Sequence, residues 1–157
     1  MKRISLIIVI PLILINLSFT SLPNFTNISI LINRNNKVLL EDDISEIKNL
    51  SKEIKNIIRD ENGTYFTRKI TWNIPLIGEM EISRVLITIS CDRATSYDTY
   101  IKVQNQIEIS YKELRNELAL DCFQKPYKQL NDEQKYAVDM VYPKYIYDTN
   151  PSNLIIH

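Results

Sequence analysis

The chain has 157 residues, 19 Lys and Arg against 19 Asp and Glu, two glycines, two cysteines and a single histidine. That length suits one modest domain with a real core, and the balanced charge gives no electrostatic case for a nucleic-acid partner. Two glycines cannot supply a phosphate-cradling loop, and Cys91, Cys122 and the terminal His157 cannot be assembled into a zinc cluster or a CxxC redox pair.

The first segment, "MKRISLIIVIPLILINLSFTSLP", places two cations before an apolar run that fades by Thr20. Its length falls between a signal-peptide core and a full membrane span. No A-x-A-like cleavage site follows, which favours an uncleaved anchor over residues 4–20 with a signal peptide as the alternative. Lys2 and Arg3, in a cytoplasmic tail of residues 1–3, keep the N-terminus inside under either reading. Residues 21–157 then form a domain on the far side of the membrane. No Asp or Glu occurs among residues 1–40.

"NISILINR" alternates, with Ile28, Ile30 and Ile32 on one face, and predicts a half-buried strand. "NRNNK" supplies turn residues and "KVLLE" a second strand, so the two make a hairpin. Asp43 with Glu46 reads as a capping box opening a helix whose buried stripe is Ile44, Ile47, Leu50, Ile54 and Ile58. The acidic run Glu41, Asp42, Asp43 is then the charge a helix N-terminus attracts, rather than a metal site. Residues 60–83, "DENGTYFTRKITWNIPLIGEMEIS", hold both glycines and predict a long excursion with a short strand pair, with Trp72 as its packing anchor and an exposed docking residue as the alternative. "RVLITIS" is a further strand with Val85, Ile87 and Ile89 inward.

The most regular segment follows. Thr95 or Ser96 caps a long helix in which Tyr100, Val103, Ile107, Tyr111, Leu114 and Leu118 share one stripe. Lys102, Asn105, Lys112, Glu113 and Asn116 take the other side, and Glu108 and Lys112 are spaced for an i,i+4 pair. Tyr97, Tyr100 and Tyr111 read as core residues rather than base-stacking platforms. "NDEQKYAVDMVYP" predicts a shorter helix with Asn131 and Gln134 as capping box and Pro143 as stop, and "KYIYD" a last strand. Sequons at Asn16, Asn24, Asn27, Asn49 and Asn62 are chance matches in an Asn- and Ser-rich chain. The order of elements predicts an α+β fold: a two-layer sandwich with a small mixed sheet and helices on one face, after the N-terminal transmembrane anchor.

Three segments carry a family resemblance: "ILINRNNKVLLEDDISEIKNLSKEIKNII", "NIPLIGEMEIS…ITISCDRATSYDTYIKVQNQIEISYKELRNELAL" and "FQKPYKQLNDEQKYAVDMVYPKYIYDTNP". Together, over residues 27–151, they resemble the periplasmic domain of ExbD, the biopolymer-transport protein related to TolR, in the branch with an extended tail. The resemblance implies a non-enzymatic protein with no cofactor, metal or catalytic residue. It implies an inner-membrane location, single-pass, with the C-terminal domain in the periplasm. The implied partners are an ExbB-like membrane protein, a TonB-like protein and a second copy of the chain. The implied role is coupling of the proton motive force to transport across the outer membrane. The family's membrane helix opens on a motif such as "MADIAFLLL", whose Asp is taken to carry protons. The corresponding "ISLIIVIPLILINL" has no ionisable group, which a proton relay through a helix requires. The alternative reading is therefore a periplasmic scaffold or binding module that kept the fold and lost the relay. The family's Gly after "DR" is Ala94, which constrains a turn that could use φ > 0.

Overall fold

A computed structural model describes residues 25–149; the expected anchor at 4–20 and the terminal His157 lie outside them. The described residues form a mixed α+β fold with three α-helices. β1 (Thr26–Ile32), β2 (Val38–Leu40) and β3 (Asp43–Ser45) form an antiparallel meander. α1 (Ile47–Arg59) follows, then the β4–β5 hairpin (Lys69–Ile74 and Gly78–Ser83). β6 (Val85–Cys91) leads into α2 (Tyr97–Phe123), and α3 (Asp132–Val141) into β7 (Tyr145–Asp148). The main sheet has strand order β3-β2-β1-β6-β7, with β6 parallel to both β1 and β7.

Period-two alternation explains the sheet. Ile28, Ile30 and Ile32 of β1 and Val85, Ile87 and Ile89 of β6 all turn into one core, while Asn27, Ser29 and Leu31 point the other way and are exposed. α1 fills that core with Leu50, Ile54, Ile57 and Ile58; α2 adds Tyr100, Val103, Ile107, Tyr111 and Leu114. The expected stripe of the long helix is thus buried at each of its six positions, Leu118 included. Lys55 of α1 clasps Glu113 at 2.8 Å and Glu117 at 2.9 Å on α2, and Arg59 pairs with Glu117, tying the two helices along their solvent edge.

Leu118 and Ala119, near the end of α2, join a second core with Ile74 and Ile82 of the hairpin and Ala137, Val138 and Val141 of α3. Asn131 and Gln134 form the expected capping box of α3. Arg115 bridges the two helices, with Nε 3.2 Å from Asp139 and Nη2 donating to the Tyr142 carbonyl at 2.9 Å.

Several expectations are corrected. Asp43 does not cap a helix: it lies in β3, and α1 begins at Ile47 with Glu46 as an N-cap that makes no side-chain cap bond. The pairing of Leu40 with Asp43 leaves a two-residue turn, Glu41–Asp42, with φ of 51° and 70°. Both central residues at positive φ describe the hairpin turn whose twist matches its strands, usually built from Asn-Gly. The acidic run is therefore turn chemistry: the Glu41 carboxylate accepts the Ser29 amide, and the Glu41 amide donates to the Ser29 carbonyl. Ile44 leaves the helical stripe and is exposed on β3, because a three-residue strand pairing outcompetes one more turn of helix.

On α2 the cap is Ser96, whose Oγ accepts from the Thr99 amide. Tyr97 is half-exposed rather than core. Glu108 is held by Lys144 rather than by Lys112, since the chain leaving α3 brings that lysine alongside. Asn116 is half-buried; its Oδ1 accepts the Tyr127 amide and pins the 3-10 turn at Tyr127–Gln129. Ala94 escapes the expected constraint. It does not adopt a positive φ, and its turn is closed by Asp92, whose Oδ1 accepts the Ala94 amide and whose carbonyl accepts the Thr95 amide.

Candidate interaction surface

One cluster of ionisable groups lies where β7 meets α2. The Tyr100 hydroxyl donates to Asp148 and accepts from Gln104 Nε2, while Cys91 on the neighbouring strand feels the Asp148 charge. Burial, with Asp148 adding to it, pushes the Cys91 thiol up to about 11, so it stays protonated near neutrality. Burial and the same carboxylate also raise the Tyr100 phenol. A nucleophile requires the opposite shift. The cluster acts instead as a latch holding the last strand onto the domain, reinforced by Thr149, whose amide and Oγ1 both donate to the Ile89 carbonyl. Among the described residues no group of three or more His, Cys, Asp or Glu is placed to hold a metal ion.

Cys122 is exposed near the end of α2, and its thiol is raised, first by burial and then by Asp121. α2 runs unbroken for 27 residues, or about 40 Å at 1.5 Å per residue. Cys91 precedes one end and Cys122 sits at the other, whereas a disulfide needs Cα atoms within about 7 Å. Non-reducing peptide mapping of purified monomer is expected to show no Cys91–Cys122 cross-link. Finding that peptide would mean that α2 breaks.

The apolar surface lies elsewhere. On the hairpin, Ile70, Trp72 and Ile74 share one face, opposite Ile82, Met80 and Gly78 respectively. Ile74 and Ile82 are buried in the second core, but Trp72 is 55 % exposed, so it does not anchor the excursion as expected. It overhangs a groove of about 410 Å³ lined also by Ile70, Ile82, Arg84, Asp139, Met140, Pro143 and Tyr145. At the rim, the Phe25 ring meets Tyr145 edge-on at 5.0 Å and carries the Arg84 guanidinium at 4.8 Å. Leu76 at the hairpin tip is exposed with φ of 66°. Beside the groove, β7 is a sheet edge whose Tyr145 and Tyr147 face solvent, with no proline to blunt it. Comparison with family models, with curated proteins and with solved structures finds no match to this chain.

The arrangement suits binding: an amphipathic groove, an exposed tryptophan and, among the described residues, an edge strand side by side. Sequence reading missed Leu76, and for Trp72 the alternative of an exposed residue is the one the structure shows. Trp72 alternates in register with buried residues, so its pattern alone is that of a core position. Among the described residues α3 ends at Val141 and Trp72 is left largely uncovered.

Proposed function

We propose that this chain is an ExbD-like component of an inner-membrane complex of the ExbB–ExbD–TonB or Tol type, non-enzymatic and cofactor-free. It is held by a single-pass anchor after which a two-layer domain stands in the periplasm. The observation that carries the reading is the co-linear strand–helix unit of residues 87–120, with its resemblance to the family. Support comes from its folded form, a central parallel strand followed by a long covering helix, and from a surface fitted for partners. The domain's part in the complex is docking, through the β7 strand edge, to an ExbB-like protein, a TonB-like protein and a second copy.

One observation favours a second reading, in which the chain is a scaffold that has lost the proton relay. No carboxylate occurs among residues 1–40, so no side chain there can carry a proton through the bilayer. Under both readings the chain as written is expected not to restore proton-driven outer-membrane uptake in cells lacking their ExbD. Full rescue would refute the assignment of that missing role. Co-purification with an ExbB-like membrane protein separates the two: retention supports the complex component, and its absence supports the free scaffold.

A further inference from the structure

We propose that the β4–β5 hairpin and its aromatic groove dock on a lipid bilayer. Trp72, Leu76 and Tyr145 would rest in the headgroup zone of the membrane holding the chain's own apolar N-terminal segment. The inference rests on the anchor reading under Proposed function.

Position comes first. The Thr26 amide donates to the Arg84 carbonyl, the Arg84 amide to the Arg68 carbonyl, and the Arg68 amide to Thr26 Oγ1. The root of the hairpin and the first residue of β1 are therefore one cluster. On the anchor reading the membrane segment closes at Thr20, five residue steps before Phe25, which an extended chain covers in at most about 18 Å. Each strand of the hairpin has six residues, a length of roughly 20 Å. A bilayer that tethers Phe25 is thus within the hairpin's reach.

Chemistry agrees with position. Surface turns favour Gly, Asn or Asp where φ is positive, yet the tip places a leucine there, exposed and at a backbone angle such residues seldom adopt. Trp72 and Tyr145 add amphipathic rings of the kind that collect at membrane interfaces, with the apolar Phe25 ring against Tyr145. Arg84 sits on Phe25, and Arg68 makes no ion pair among the described residues, so both guanidinium groups can meet lipid phosphates. Glu79 and Glu81 alternate onto the other face of the hairpin from Trp72, and the Glu41–Asp42 turn lies level with Ser29, about 10 Å further along β1. The one carboxylate lining the groove, Asp139, is engaged by Arg115 Nε at 3.2 Å and by the Tyr127 hydroxyl at 2.8 Å, so it meets the headgroup zone already paired.

Trp72 is the chain's sole tryptophan, so its emission reports this surface alone. The full chain, reconstituted in vesicles of phosphatidylcholine brominated on its acyl chains, is expected to show quenched Trp72 emission against unbrominated vesicles. Leu76→Asp, at an exposed position, should reduce that quenching and raise quenching by aqueous acrylamide. Ile44→Asp, on the exposed far edge strand, should change neither. Flotation of the chain with the vesicles is scored in parallel. A chain that floats with Trp72 unquenched by bromine overturns the docking surface and leaves the anchor standing. Quenching that persists unchanged in Leu76→Asp overturns the role of the tip. A chain that does not float overturns both the docking surface and the anchor.

Discussion

Leu114→Ala is expected to destabilise the domain by about 2–5 kcal/mol, and Lys112→Ala, two residues away on the same helix, by less than about 0.5 kcal/mol. Leu114 is fully buried in the main core, where α2 faces Ile54 of α1 and Ile87 of β6 within one cluster. Truncation removes three carbons from a close-packed site and leaves a cavity that the rigid strand backbone behind it cannot collapse to fill. Lys112 is exposed and makes no ion pair among the described residues, because Glu108 is engaged by Lys144. Alanine is also the better helix former, so the change there is close to neutral. Thermal unfolding reads the difference at roughly 2–8 °C of Tm per kcal/mol. Equal shifts for the two variants would mean that the buried face of α2 is misassigned.

Asp60→Ala should cost on the order of 2–4 kcal/mol, the sum of an unpartnered buried amide and of alanine forced into left-handed backbone. Asp60 closes α1 with φ of 39°, is almost wholly buried, and accepts the Tyr65 amide at 2.9 Å and the Thr67 amide at 2.7 Å. Burial alone would raise its carboxyl, but the two amides and the Lys69 charge outweigh that and hold it below the ordinary value of 3.8. A depressed folded pKa means that this stabilisation is complete above the unfolded value and is lost as pH falls through the folded one. Asp60→Asn presents a single acceptor oxygen and no charge, so it should be less stable than the parent at neutral pH. Urea titrations from neutral pH downward should show the gap between parent and Asp60→Asn closing below about pH 4. A gap that stays constant down to pH 2 would show that the carboxylate is not what clips this loop.

Legibility divided along a physical line. Strands β1 and β6 and the helix α2 were readable because alternation, or a stripe at i, i+3 and i+7, repeats along the element, and each repeat independently demands the same buried face. The α3 cap was readable because Asn131 and Gln134 satisfy backbone donors within their own four residues. The error at Asp43 has the same root: "DDISE" carries the local marks of a helix start, and only pairing with β2, where Asp43 faces Leu40 three residues back, makes it a strand. The pairing of Lys144 with Glu108 and of Asn116 with Tyr127 also lay beyond any local pattern, since each partner is brought from a different element.

The proposed surface shows the same division. By itself the sequence determined the apolar N-terminal run, the lack of any carboxylate before Glu41, the count of two cysteines and one histidine, and the faces of the long periodic elements. These follow from composition and from short-range periodicity, which no folding event can alter. Tertiary structure alone decided that, among the described residues, Trp72 is left uncovered, Phe25, Arg84 and Tyr145 gather at one rim, and β7 is the edge strand. A side chain's alternation says which way it points. Whether anything lies there to cover it depends on where α3 stops and which strand comes last in the sheet, and those are set by contacts between residues far apart in the chain.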